Sequence, residues 1–364
     1  MNKIYSGWFS GCSDSEIISV GGLDYFESLA WYKLRRAFPT FKKVLTASES
    51  ELLRAGLSSL LVQTFKNRPT NTNAAERLMA SKNIRLLTVE DKEYPSLLKE
   101  IADPPLWLYL RGDQKAFKTK TLTVVGTRKP TAYAMSVTEK LLSPTLLKKV
   151  TVVSGLAYGI DKTAHQLSVK HGGRTIAVLA GGLDAIYPAD HYRLADEIIN
   201  TGGLLVSEYP PLTRPKPYRF PVRNRILAGL SPLTIVIEAN LKSGTLTTAK
   251  SALDYNRDLM AVPGDITRQL AEGPNFLIKR GAGLLDKPEE LNRYYGLSTK
   301  TKSADIDNHL SKILDLLAEQ PYSVDRIVTL TGRTIDTVLA ELTQLELLGL
   351  VYQTEGGDYS RKKK

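Results

Sequence analysis

Residues 122–130 read Leu122-Thr123-Val124-Val125-Gly126-Thr127-Arg128-Lys129-Pro130. An apolar, β-branched run ends in a glycine, a basic turn follows, and a helical stretch starts after the proline. Where such a strand lies in a parallel sheet, the turn at its carboxyl end meets the amino end of the next helix, whose unpaired N–H groups favour an anion. The same pattern recurs at Val150 to Ser154, Thr175 to Ala180, Leu204 to Val206, Leu233 to Glu238 and Leu259 to Val262, with helical stretches between them. Near-continuous apolar strands alternating with helices predict a parallel sheet covered on both faces, an α/β doubly wound fold. The pattern does not give the strand order.

On the amino-terminal side, Ile84 to Val89 and Leu106 to Leu110 read as short strands around Asp103-Pro104-Pro105. Residues 1–72 are helical in pattern, broken by Pro39 and Gly56, and are expected as a small helical domain; residues 66–75 read as a polar linker. The α/β domain is expected over 80–295 and residues 296–304 as a second linker. Beyond it, Leu310, Ile313, Leu314 and Leu317 extend a stripe begun by Ile306, and Ile335, Val338, Leu339, Leu342 and Leu345 form another. With the short segment Ser323 to Leu330 and a two-stranded wing, residues 304–358 read as a winged helix. The lysines after Ser360 read as a disordered tail.

A chain of 364 residues, 42% hydrophobic, can bury a sizeable core. Its net charge of +11 points towards a polyanionic partner. Cys12 is the single cysteine and the four histidines are scattered, so neither a disulfide nor a Cys-rich metal site is expected, which fits a reducing cytoplasm. No apolar run approaches the roughly 20 residues of a membrane span.

The charge is clustered. From Tyr209 to Ile237 there is no acidic residue, while Arg214, Lys216, Arg219, Arg223 and Arg225 stand among Tyr218, Phe220 and the prolines at 211, 215, 217 and 221. Cations interleaved with aromatics suit a ligand that is polyanionic and carries flat rings, and nucleic acid fits best. Asn224 and Arg225 lead into an apolar segment and are expected to anchor a helix start, with Glu238 as an ion partner for Arg223 or Arg225. Turns at Gly126, at Ser154-Gly155 and at Ala180-Gly181-Gly182 would together floor one crevice. Ser243 and Thr245 would cap a helix whose free N–H groups face it, with Lys250 two turns along. The first turn is neither Gly-x-Gly-x-x-Gly nor a Walker A loop, so no dinucleotide or ATP cofactor is expected. Asp161, four residues before His165, reads as an ordinary first-turn residue, since no third ligand accompanies the pair.

Taken in order, the Gly126 turn, residues 154–161, 177–188, 220–231 and 243–249, Pro263-Gly264 and residues 273–282 closely resemble the DNA-processing protein A family (DprA, also called Smf). The resemblance implies an extended Rossmann domain flanked by a SAM-like or helix-hairpin-helix-like domain and a winged helix. It implies a cytoplasmic, non-catalytic homodimer that binds single-stranded DNA and loads RecA onto it in natural transformation and recombination. Carried over by motif, the DNA-binding residues are Gly126, Arg128, Lys129, Ser154, Gly155, Lys216, Arg219, Phe220, Arg223 and Lys250, and the dimer surface includes Asn275, Ile278 and Leu284. Thr127 replaces the usual Ser of the first turn and keeps its hydroxyl. The would-be recognition helix offers only Arg333 near its start. A rival is the resemblance to LOG-type phosphoribohydrolases, nucleotide-cleaving enzymes with a Gly-Gly-x-Gly-Thr turn; here Thr248 stands where those enzymes carry a catalytic Glu. A winged-helix transcription regulator is a third possibility.

Overall fold

Nine strands form one sheet: β1 (Arg85–Thr88), β2 (Trp107–Gly112), β3 (Lys120–Val125), β4 (Val150–Ser154), β5 (Thr175–Leu179), β6 (Leu204–Ser207), β7 (Leu233–Val236), β8 (Asp258–Ala261) and β9 (Gly283–Leu284). The computed structural model describes residues 7–26, 28–297, 308–354 and 356–362. The strand order is β1-β2-β6-β5-β4-β3-β7-β8-β9. β2 runs antiparallel to both neighbours, and the strands from β6 to β9 are parallel. β4 and β5 are buried along their whole length, as their unbroken apolar character requires.

From β3 the chain steps through β4 and β5 to β6, then returns to place β7 on the other side of β3. That reversal is a topological switch point, where loops leaving β3 and β7 part and leave a crevice outside the strand ends. The returning element is the helix Arg219–Gly229. Two threonines of β3 hold its carboxyl end: Thr121 Oγ1 donates to Leu230 O and Thr123 Oγ1 to Leu227 O, both at 2.7 Å. These bonds satisfy carbonyls that a helix end leaves unpaired, and so fix where its first turn lies.

The contacts divide the chain into Met1–Gly296 and Leu297–Lys364. Where the sequence suggests a separate domain over 1–72, the helices of that region share a core with the sheet. Trp31 packs edge-on against Trp107 of β2 at 5.0 Å, and Phe9 and Phe41 join the cluster. The second unit has helices Asn308–Glu319, Val324–Thr331 and Ile335–Leu347 and a hairpin of Val351–Gln353 with Tyr359–Arg361. Leu310, Ile313, Leu317, Ile327, Val338, Leu342 and Leu345 form its core. Ile335 and Leu339 lie outside it, 48% and 40% exposed, because the face that carries 338, 342 and 345 is the one turned inward. Arg361 pairs with Val351 in the hairpin, so the tail after Ser360 begins as a strand. Ile306 and most of the 296–304 linker lie outside the described residues.

Candidate nucleic-acid interface

A crevice of about 530 Å³ opens at the switch point. Gly126, Thr127 and Arg128 line it from the turn after β3, Ala157 and Asp161 from the segment after β4, and Ser243, Gly244 and Thr245 from the turn after β7. Phe220, Arg223 and Asn224 of the returning helix complete it. Thr245 Oγ1 donates to Gly126 O at 3.1 Å and ties two of these turns together.

Arg128 is exposed, with its guanidinium 5.5 Å above the Phe220 ring, and Phe220 meets Tyr187 at 5.8 Å in an edge-on contact. Beneath them Arg223 is buried. Its Nη1 donates to Gly155 O at 2.8 Å and to Val178 O, and its Nε donates to Asn224 Oδ1 at 3.2 Å. Burial pushes the Arg223 guanidinium down to about 10; Asp161 counters that shift and the neighbouring charge of Arg128 adds to it. Gly155 is a requirement of this packing, since a Cβ there would lie 2.5 Å from Arg223 Nη2. Asp161 is also buried and accepts from Gly155 N at 3.0 Å; burial raises its pKa despite Arg223 and these hydrogen bonds. Two cations and one carboxylate leave the crevice positive, with an aromatic face beside the outer cation. Such a surface complements a phosphate next to a flat ring.

The basic stretch before the helix is held by the amino-terminal region. Asp24 accepts from Lys216 Nζ and Tyr218 OH, each at 2.5 Å, and from Arg219 Nη2 at 2.9 Å. Burial pushes the Asp24 carboxyl up, but the Lys216 and Tyr218 hydrogen bonds and the Arg219 charge outweigh it and hold the group below the usual carboxylate range. Arg219 also donates to Gly22 O and Arg214 O and is buried. Lys216 remains half-exposed in its ion pair.

Several sequence expectations change in three dimensions. Of the ten carried-over DNA-binding residues, Gly126, Arg128, Phe220 and Arg223 line the crevice, whereas Arg219 is spent on internal partners. Ser154 is buried, and its hydroxyl donates to Val124 O, linking β4 to β3. Lys129 and Lys250 are exposed and do not line the crevice. The space above Gly126 is filled by Ile160, whose Cγ1 would lie 2.5 Å from an added Cβ, so this glycine serves helix packing. The Ala180-Gly181-Gly182 turn, under Thr213 and Pro215, lies outside the main crevice and lines, with Gly155, a smaller pocket that shares Tyr187, Phe220 and Arg223 with it. Asn224 and Arg225 sit inside the helix Arg219–Gly229, and Asn224 holds the next helix through Gly244 O and Thr247 Oγ1. Arg225 pairs with Glu208 at 2.5 Å and with Asp103 at 3.6 Å, not with Glu238. Glu238 instead accepts from Thr131 N and Thr131 Oγ1 at the start of the helix Ala132–Leu141. The helix Thr245–Asp254 has little free N–H to offer: Ser243 Oγ accepts from Thr245 N, and Ser243 O and Gly244 O take the next two. His165 Nδ1 bonds Thr175 Oγ1 and makes no pair with Asp161. Arg333 is engaged by Glu341 at 2.5 Å. At the expected dimer surface, Asn275 spends both ends of its amide on Gly264, while Leu284 is 47% exposed. Tyr187, half-exposed against Phe220, escaped the sequence reading; the only signal was an aromatic residue next to the turn before Pro188.

Among the described residues no three His, Cys, Asp or Glu side chains converge as a metal site, and no helix is long and apolar enough to cross a membrane.

Topology and crevice together define an extended Rossmann-type α/β protein with a cationic, aromatic-walled cleft at its switch point. Residues 85–296 match the family described as DNA recombination-mediator protein A, and residues 298–357 match the DprA winged helix domain. The chain belongs to the DNA recombination-mediator protein A (DprA/Smf) family. It is 36% identical to Protein Smf from Synechocystis sp., over 92% of this chain and 98% of the relative. It is similar in structure to DNA processing protein A from Streptococcus pneumoniae, with a TM-score of 0.64 at 30% identity over 77% of this chain and 97% of that one. A Helicobacter pylori DNA processing protein A, solved to describe its single-stranded DNA binding mode, aligns with a TM-score of 0.53 at 29% identity, over 58% of this chain and 95% of the other.

Proposed function

We propose that this chain binds single-stranded DNA across the crevice and hands it to RecA, protecting incoming DNA during natural transformation and homologous recombination. The observation that carries the reading is the stack of Arg128 on Phe220 above the buried Arg223. Arg128 neutralises a phosphate and Phe220 stacks a base; Gly126, Ser154, Gly155 and Arg223 shape the floor. Lys129, Lys216 and Lys250 are assigned to outer phosphates, and Arg219 positions the segment that bears Lys216. The protein acts in the cytoplasm without catalysis, as a homodimer through the surface of Asn275, Ile278 and Leu284. Thr248 at the place of a catalytic Glu supports binding over nucleotide cleavage, as does an Asp161 carboxylate already committed to Gly155 N.

The test is a filter-binding comparison of single-stranded and duplex DNA across a salt series. Arg128→Ala should lower the log–log salt slope by about one, and Phe220→Ala should cost about 1–3 kcal/mol of affinity. Equal affinity for duplex, or a salt response untouched by Arg128→Ala, would refute the site. Stimulation of RecA filament growth by the unaltered protein tests the hand-over, and release of free base from nucleoside monophosphates would restore the enzyme reading.

A further inference from the structure

We infer that Tyr25, in the amino-terminal helical region, is a second base-stacking platform for single-stranded DNA; the inference rests on the proposed strand path through the crevice. Its ring stacks on Tyr218 with centroids 4.8 Å apart and planes 19° apart. The Arg219 guanidinium lies 5.7 Å from the Tyr218 ring and 4.5 Å from that of Tyr209. Tyr25, Tyr218, Arg219 and Tyr209 therefore form one pile, and Asp24 pins its middle layers by accepting from Tyr218 OH and Arg219 Nη2. Tyr209 and Arg219 at the inner end are buried, whereas Tyr25 at the outer end is 61% exposed.

This is an unusual use of a large aromatic residue. Tyr25 adopts φ 60°, a left-handed conformation that bulky side chains rarely take, and it gains little burial in return. The stack holds a flat, rigid ring towards solvent, and the exposed Lys216 is held next to it by Asp24. An aromatic face with adjacent cations is how proteins hold single strands without reading sequence, because every base has a π face and every nucleotide a phosphate. Tyr218 precedes Phe220 by two residues, so their Cα atoms are no more than about 7 Å apart, and the Tyr25 ring lies a further 4.8 Å from the Tyr218 ring. One strand of several nucleotides can then lie on Phe220 in the crevice and continue onto Tyr25.

The three native tryptophans, Trp8, Trp31 and Trp107, are 3%, 4% and 2% exposed, so an indole introduced by Tyr25→Trp in the full chain reports its own surroundings. Titration with oligo-dT of about 16 nucleotides should quench that indole with the midpoint seen by anisotropy, whereas an oligonucleotide of about 4 nucleotides, confined to the crevice, should bind without quenching. Tyr25→Ala should weaken the longer oligonucleotide at least about fivefold and leave the shorter one unchanged; Tyr25→Phe should retain both affinities. Binding of the longer strand without quenching, equal quenching by duplex, or unchanged affinity in Tyr25→Ala would overturn the inference. If Tyr25→Ala fails to fold, the quenching of Tyr25→Trp decides. Loss of binding in Arg128→Ala beside an unaffected Tyr25→Ala would leave the crevice reading standing alone. Failure of the unaltered protein to bind either oligonucleotide would remove both.

Discussion

Replacing Arg223 with methionine takes a cation from two backbone carbonyls and from Asp161. The bonds to Gly155 O and Val178 O are charge-assisted, and each contributes about 1.5–3 kcal/mol. The attraction to Asp161 adds about 1–3 kcal/mol, while burying the methionine side chain restores about 1–2 kcal/mol. The net loss is about 2–8 kcal/mol, a fall of about 4–24 °C in melting temperature for a unit of this size. Asp161 gives the change a pH signature. Burial raises its folded pKa above the unfolded value, so its contribution to stability is full below the unfolded pKa and lost as pH rises through the folded one. Without Arg223 that pKa climbs further. The deficit of Arg223→Met should therefore be largest near neutrality and shrink towards about pH 5. Asp161→Asn in the same chain should recover part of it at neutral pH. Gly155→Ala, which in the native chain places a Cβ 2.5 Å from Arg223 Nη2, should be tolerated once the guanidinium is gone. Thermal melts followed by circular dichroism of the single and double variants at both pH values are sufficient. A deficit that is the same at both, with no recovery in the double variant, would refute the account of a buried cation holding a buried carboxylate.

Arg225→Ala removes a buried cation from Glu208 and Asp103 and should cost about 3–5 kcal/mol by chemical denaturation, where Arg128→Ala, at the surface, should cost within about 0.5 kcal/mol. Asp24→Asn removes the carboxylate that competes with a phosphate for Lys216 and should tighten single-strand binding at low salt, opposite in sign to Arg128→Ala. Because the Asp24 pKa is depressed, the clamp holds above the ordinary carboxylate range and loosens as pH falls through the depressed value; chemical-shift titration of that carboxyl checks it. His165 is pushed down to about 3, chiefly by burial, with His191 and Arg223 adding. Its contribution to stability is present above the unfolded value of about 6.5 and declines by about 1.4 kcal/mol per pH unit below it. His165→Phe should flatten that part of the profile in melts between about pH 8 and pH 5.

The six central strands were legible because a strand covered on both faces has to be apolar throughout, and each run ended at a glycine or a polar turn. What escaped the sequence was pairing over distance. Tyr209 to Ile237 looks free of acid, yet the carboxylate that holds Arg219 comes from Asp24, 195 residues earlier. Arg225 and Glu238 looked like partners because both sit near the crevice in sequence, but Arg225 reaches Glu208 and Glu238 serves Thr131. The glycine turns were legible but what the glycines make room for was not: Gly126 accommodates Ile160, and Gly155 accommodates Arg223. Tyr25 was invisible, since nothing in its neighbourhood marks a residue that stacks on a ring nearly two hundred positions away.

The switch point also sets a timetable for biosynthesis. β3 finds its second neighbour only when β7 exists, and the paired residues Val125 and Val236 are 111 positions apart. At about 5–20 residues per second that interval lasts about 6–22 s. A nascent chain grown to Leu230 already carries Arg128, Phe220 and Arg223 but lacks β7 and the Ser243-Gly244-Thr245 wall, and it presents β3 as an open edge. Competence to hold a nucleic acid and protection of that edge therefore arrive together, late in synthesis, and a truncated product loses both at once.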